Sequence, residues 1–251
     1  MLNEPTIEKL YELRLSAMAD AWTMQQKDTK LGALGFDERF GLIVDAEHMA
    51  RDNRRLARLL KDAALRIPTA CVEDVRASGQ RGLDRSMVRQ LGSCAWIGEH
   101  LNVLISGRTG VGKSYLACAL GQAACRKGLR VGYRRVPRLF DELALARTDG
   151  SYARLLARLA KLDVLILDDL GLGTPKEAQR HDLLEVLEDR YGRVSTIITS
   201  QLEVKKWHEW IGDPTIADAI LDRVVHNAFK LSLTGPTGRD TRGEETKTEK
   251  S

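Results

Sequence analysis

The 251-residue sequence lacks most of what would mark a secreted, membrane or metal-holding protein. It has four cysteines, Cys71, Cys94, Cys118 and Cys125, with no C-x-x-C pair and no metal-ligand partners at suitable spacing. That excludes a disulfide framework and a zinc ribbon, and leaves small buried hydrophobes in a reducing compartment. No apolar run approaches the roughly 18 residues that a membrane helix needs. The first turns carry Glu4, Glu8, Glu12 and Asp20 where a secretory leader would be basic and then apolar. The expected location is the cytoplasm, with no membrane partner. There is no internal repeat, and neither charge sign dominates, the formal net charge being +4.

What is present points to a core of ordinary size. Hydrophobic residues make up 43% and charged residues 29% of the chain, enough for one large α/β domain and a smaller one. The most informative stretch is Gly107-Arg108-Thr109-Gly110-Val111-Gly112-Lys113-Ser114, which fits the phosphate-loop pattern G-x-x-x-x-G-K-[ST] at every fixed position. Glycines let the backbone curl so that its N–H groups, at a helix N-terminus, face phosphate oxygens. Lys113 would reach the β- and γ-phosphates, and the Ser114 hydroxyl would ligand Mg²⁺. The flanks agree: 101–106 reads as a buried strand and 115–125 as an Ala- and Leu-rich helix. The expected ligands are ATP and Mg²⁺, and the loop from Gly107 to Ser114, with Tyr115 beside it, is the expected nucleotide site.

Further along, Val164-Leu165-Ile166-Leu167-Asp168-Asp169 reads as a central strand with two carboxylates at its C-terminal edge, where sheet ligands bind. Asp168 is expected to hold Mg²⁺ and Asp169 to orient and deprotonate the attacking water. A third buried strand, 196–201, ends in Thr199, Ser200 and Gln201, whose polar groups are placed to touch the γ-phosphate or the water. Strands at 129–134 and 229–233 complete an alternation of strands and helices, as in a parallel sheet covered on both faces. Ser151 is expected to cap a helix within a helical hairpin between the second and third strands.

The first hundred residues read as helical. Ile7, Leu10, Tyr11, Met18 and Trp22 recur near one face, and Phe36, Phe40, Ile43 and Val44 form the expected buried stripe of a helix reaching about residue 65, before Pro68. Within it Arg51, Arg54, Arg55, Arg58 and Lys61 make a cationic stripe, and Arg81, Arg85 and Arg89 make another, on a helix expected over 84–97. Such runs serve either as solvated faces or as binders of phosphate backbone, and both readings stand at this point. Residues beyond Thr234 show no apolar period and read as a tail.

The ordered set of phosphate loop, Asp168-Asp169, Thr199-Ser200-Gln201, Asp222-Arg223 and Gly235-x-Thr237-x-Arg239 resembles an AAA+ ATPase. More narrowly, the chain resembles the IstB family of insertion-sequence transposition helpers, relatives of the DnaC helicase loader. That likeness is carried by Phe36-Asp37-Glu38-Arg39-Phe40-Gly41-Leu42, Asn53-Arg54-Arg55-Leu56-Ala57-Arg58, Gly82-Leu83-Asp84-Arg85, Ile211-Gly212-Asp213-Pro214 and Ala219-Ile220-Leu221-Asp222-Arg223. The resemblance implies a small all-α N-terminal domain (1–68), a helical linker (69–96), an AAA+ domain with a five-stranded parallel sheet (97–234) and a C-terminal tail (235–251). It implies ATP hydrolysis, self-assembly on duplex DNA with ATP sites between subunits, and delivery of target DNA to a partner transposase. Gln201, with Ser200, then matches the first sensor, Arg223 the arginine finger and Arg239 a second-sensor arginine. Arg134, Arg135, Arg138, Arg154 and Arg158, around the hairpin, would join Arg51, Arg54, Arg55 and Arg58 as DNA contacts. The family often has Asp-Glu where this chain has Asp168-Asp169, which leaves the hydrolysis rate open.

Other readings remain. A helicase loader shares every nucleotide motif. A small-molecule phosphotransferase would need a lid over the phosphates, and the residues after Gln201 read as two short helices and a strand instead.

Overall fold

A computed structural model describes residues 4–28, 31, 34–75 and 82–235. The chain divides into two compact units, residues 1–58 and residues 59–251. The division falls inside a long helix, ten residues before the 68/69 boundary expected from sequence.

The first unit is helical: α1 (Glu4–Glu12), α2 (Ser16–Lys27) and the first part of α3 (Phe36–Ala63). Arg14, with φ 59°, breaks what sequence periodicity reads as one face into α1 and α2. Glu47 of α3 is buried and accepts hydrogen bonds from the Ala17 and Met18 amides at 3.0 and 3.3 Å. It thereby satisfies N–H groups of the first turn of α2 that no helical carbonyl can reach. The same carboxylate takes Arg51 Nε at 2.8 Å and Arg54 Nη2 at 3.1 Å. The expected buried stripe needs correction: Ile43 is buried, but Phe36, Phe40 and Val44 are 77%, 50% and 41% exposed. One short partner helix cannot cover the whole face of α3. What it does cover is Ile43, Glu47 and the Gln25–Arg39 hydrogen bond, while the Phe36 and Phe40 rings stack on each other with centroids 5.9 Å apart.

The second unit is built on one parallel sheet. Its strands are β1 (Asn102–Gly107), β2 (Val131–Arg135), β3 (Val164–Leu170), β4 (Ser195–Ser200) and β5 (Ala228–Leu233), in the order β2-β3-β4-β1-β5. Central strands of a sheet covered on both sides are buried throughout, so they read as apolar runs rather than alternations. β1 and β3 do so here. One face is covered by α6 (Lys113–Arg126), whose small residues allow close approach: a Cβ on Gly121 would lie 2.8 Å from Ile166 Cδ1. The other carries α7 (Val136–Thr148), α9 (Glu177–Glu188), α10 (Trp207–Ile211) and α11 (Pro214–Val225), packed through Leu139, Leu143, Leu183, Leu187, Trp207 and Ile220.

The hairpin between β2 and β3 is α7 with α8 (Tyr152–Ala160). It is tied to α9 by buried Asp182, which accepts from Arg147 at 2.5 Å and from the Tyr152 hydroxyl at 2.8 Å. Ser151 does precede α8, but its hydroxyl makes no capping bond; instead its amide donates to Asp149 Oδ1 at 2.8 Å. The helix expected over 84–97 is two, α4 (Arg85–Gly92) and α5 (Ala95–Gly98), parted by Cys94 in the left-handed region at φ 63°. Cys94, Cys118 and Cys125 are buried free thiols, as small hydrophobes should be. Burial pushes the Cys125 thiol up to about 11, so it is inert at neutral pH. Among the described residues no helix is long and apolar enough to cross a membrane.

Candidate nucleotide site

Strand order assembles the site. β1 delivers the phosphate loop, β3 the two carboxylates, and β4 lies between them, paired to both. The end of β4 therefore lies between loop and carboxylates whatever the sequence distance.

The loop residues 107–112 run from β1 to the N-terminus of α6. Gly107 has φ 146°, and a Cβ there would meet the Leu233 carbonyl oxygen at 2.3 Å, so β5 admits only glycine at this turn. Gly112, at φ 102°, is the N-cap of α6, and no heavy atom lies within 4 Å of where its Cβ would be. That open space adjoins the N-terminus of α6, the end of a helix suited to hold an anion. Lys113 is buried and folds back over the loop, its Nζ donating to the Arg108 carbonyl at 3.0 Å. Arg108 and Thr109 are exposed, Val111 is buried, and Tyr115 is half-buried on the first turn of α6.

Asp168 is fully buried and gathers donors from four segments. Ser114 Oγ lies 2.8 and 3.0 Å from its two oxygens. The hydroxyls of Thr199 and Tyr133 also donate to it, and Arg66 Nη1 is 3.4 Å away. Burial and then the hydrogen bond to Asp168 push the Tyr133 phenol upward, so it stays a proton donor. Ser114 and Asp168 thus present two hard oxygens side by side. That donor set suits Mg²⁺, which takes one or two carboxylates and completes its shell with water and phosphate.

Asp169 points elsewhere. The β3–β4 register shifts between Leu167 and Leu170, and Asp169 sits at that irregularity with φ 65°. Aspartate tolerates the left-handed region better than most residues, and the bulge turns its carboxylate away from Asp168. Its amide donates to Thr199 Oγ1 at 3.1 Å, and its Oδ2 accepts from Arg135 Nε at 2.9 Å, with Arg66 at 3.7 Å.

Several expectations meet this geometry unevenly. Of the β4 residues, Thr199 bonds both carboxylate residues, whereas the buried Ser200 hydroxyl donates to the Leu170 carbonyl at 2.7 Å and accepts from the Leu202 amide. Ser200 therefore ties strands together, its hydroxyl bonded to neither Asp168 nor Asp169. Gln201 is exposed just beyond the strand. Strand alternation, which puts Thr199 and Gln201 on one face and Ser200 on the other, was the available signal. Arg135, expected on DNA, instead holds Asp169, and Arg134 pairs with Glu142 at 3.2 Å. Arg51 and Arg54 are held by Glu47, whereas Arg58, Arg138, Arg154 and Arg158 are exposed, as is Arg55. Tyr133 and Arg66 had no role in the sequence reading. Arg223, near the end of α11, pairs with Glu188 of α9 and donates to the Ala219 carbonyl at 2.7 Å. Its end of the helix is fixed by the buried Asn102 amide, which donates to the Arg223 carbonyl at 3.3 Å. Arg239 and Arg81 lie outside the described residues.

The chain is similar to known proteins. An insertion sequence ATP-binding protein of Sinorhizobium fredii, y4pL, is 52% identical over 239 residues, covering 95% of this chain and 97% of its own length. The insertion sequence IS21 ATP-binding protein of Pseudomonas aeruginosa is 33% identical over 207 residues, 82% of this chain and 77% of its own. In fold, the chain is similar to the DnaC helicase loader, with TM-score 0.56, 22% identity and coverage of 66% of this chain and 97% of that one. It is also similar to the replication initiator DnaA bound to AMPPCP and single-stranded DNA, with TM-score 0.55, 19% identity and coverage of 68% and 52%. The AAA+ architecture is therefore present. The IstB-like ATP binding protein family matches residues 8–245, and this chain, an ATP-binding AAA+ protein, belongs to it.

Proposed function

We propose that the protein is a Mg²⁺-dependent ATPase that assembles on duplex DNA and delivers it as target to the transposase of its insertion sequence. The observation that carries this reading is the Ser114–Asp168–Thr199 cluster with Asp169 turned out beside it. Two carboxylates with separate partners can divide the work of metal binding and water activation.

In this reading the loop amides and Lys113 hold the phosphates, and Ser114 and Asp168 would hold Mg²⁺, which would supply neutralisation of the phosphate charge. Asp169 accepts a proton from the attacking water, and Gln201, next to Thr199 at the strand end, positions that water. Arg223 lies far along α11 and serves the nucleotide of a neighbouring subunit, so one chain alone binds ATP but turns it over slowly. The exposed Arg138, Arg154 and Arg158 on the α7–α8 hairpin, with Arg55 and Arg58 on α3, contact backbone phosphates with little sequence preference. The names of the relatives, which place them in insertion sequences, favour a transposase as partner over a replicative helicase.

The test is duplex binding with ATP across a salt series. The log–log slope should fall by up to about 3 units in the Arg138→Ala, Arg154→Ala, Arg158→Ala triple variant, at ~0.9 for each phosphate no longer neutralised. An unchanged slope would return the hairpin to solvent. Retention of the cognate transposase on the ATP-loaded DNA complex would separate helper from loader, and its absence would favour the loader.

A further inference from the structure

Arg66 belongs to no nucleotide motif, yet its guanidinium lies between both carboxylates of the site, 3.4 Å from Asp168 and 3.7 Å from Asp169. It comes from the segment that follows α3. The backbone there is fixed: Ala63, Leu65 and Ala70 are buried, and Leu65 packs where α6 has Gly121. The amides of Arg66 and Ile67 lie against the Cys118 sulfur, also on α6. The segment is thus docked on the helix that begins at the phosphate loop, while the Arg66 side chain itself is 42% exposed and able to swing.

Charge decides where it swings. The Asp168 Oδ2 that Arg66 faces lies 3.0 Å from Ser114 Oγ, beside which a divalent cation would sit. A cation there repels a guanidinium, and a terminal phosphate arriving with it brings negative charge that one divalent ion does not fully neutralise. Asp169 cannot hold Arg66 in place alone, because Arg135 already occupies its Oδ2 at 2.9 Å.

We propose that Arg66 is a γ-phosphate-binding residue: parked on Asp168 and Asp169 without nucleotide, it transfers to the terminal phosphate when Mg²⁺ and ATP bind, so that the segment after α3 distinguishes ATP from ADP. The inference rests on the ATP-binding reading of the loop.

Calorimetry with ATP and with ADP, both with Mg²⁺, on the full chain tests it. Wild type should prefer ATP, and Arg66→Ala should lose about tenfold of that preference, the worth of one charge-assisted hydrogen bond. ADP affinity should not fall, since ADP gains nothing from Arg66, and Arg66→Lys should recover most of the preference because it restores the cation. Hydrogen exchange over residues 64–70 should slow with ATP and not with ADP. An ATP/ADP ratio unaltered in Arg66→Ala, with exchange blind to the γ-phosphate, would overturn the proposal and leave Arg66 as a static counter-ion. Failure of the loop reading looks different: wild type would then bind neither nucleotide, and Lys113→Ala would change nothing.

Discussion

Thr199→Val removes one hydroxyl from the centre of the site while keeping the branched shape of the side chain. The hydroxyl oxygen accepts from the Asp169 amide at 3.1 Å and donates to Asp168, and both Thr199 and Asp168 are fully buried. Valine leaves the Asp169 amide without that acceptor, which costs about 1–3 kcal/mol, and deprives a buried carboxylate of one donor, roughly another 1.5–3 kcal/mol. Asp168 keeps Ser114 and Tyr133, so the second cost falls at its low end. A net loss of about 3 kcal/mol is expected, or ~6–12 °C in Tm for a unit of this size. Chemistry should suffer in a particular way. Asp169 is held in the left-handed region partly by that amide bond, so loosening it should slow turnover more than it weakens ATP binding. Thermal melting without nucleotide and single-turnover hydrolysis at saturating ATP are the assays. Thr199→Ser, which retains the hydroxyl, should keep turnover. A Tm within about 2 °C of wild type, together with normal turnover in Thr199→Val, would refute the role assigned to this residue.

Three further outcomes are expected. Asp169→Asn should keep ATP bound and slow hydrolysis at least a hundredfold, because an amide cannot take the proton; near-normal turnover would move the base elsewhere. Arg223→Ala should retain ATP affinity and lose the DNA-stimulated part of hydrolysis, and mixing it with Asp169→Asn on DNA should restore activity at mixed interfaces; no recovery in a confirmed assembly would refute a shared site. Glu47→Gln should destabilise the helical unit at neutral pH and lose that effect in acid. The Arg51 hydrogen bond, helped by the Met18 and Ala17 amides and the Arg51 charge, holds the Glu47 carboxyl below the usual range. A depressed folded-state pKa gives stability that is present above the unfolded value of about 4.3 and lost as pH falls through the folded one. Equal destabilisation at pH 3 and pH 7, read by circular dichroism, would contradict the assignment.

The phosphate loop and the Asp168-Asp169 pair were legible in the sequence because each is contiguous: a short run of backbone must curl, or a strand must end, and the required residue types follow locally. The parallel sheet was legible for a similar reason, since strands buried on both faces have to be apolar throughout. Tyr133, Thr199 and Arg66 were not legible as a group. They reach Asp168 from 35, 31 and 102 residues away, and strand order and the docking of one linker bring them together, which no local spacing encodes. The pairing of Arg135 with Asp169 was not legible because a run of arginines looks alike whether it faces a polyanion or a neighbouring carboxylate. The Phe36 stripe shows a complementary limit: periodicity says which side chains share a helix face, not whether anything covers it.

The two arginines beside the carboxylates suggest how such a site is kept folded without its ligand. Asp168 and Asp169 bring two negative charges to a pocket of low exposure, and unpaired they would repel each other and lose hydration. Arg66 faces both, Arg135 binds the second, and Ser114, Thr199 and Tyr133 supply hydrogen bonds to the first. Arg66 is a cation beside the carboxylate oxygen where a divalent cation would add further positive charge. Binding is therefore an exchange of partners, not an addition. Arg66 is the partner best suited to leave, being a flexible cation with a half-exposed side chain, whereas Thr199 and Tyr133 are buried in the sheet and stay. Selectivity for a triphosphate follows if the displaced guanidinium finds its new counter-charge only on the terminal phosphate, because a diphosphate would displace it and offer nothing in return.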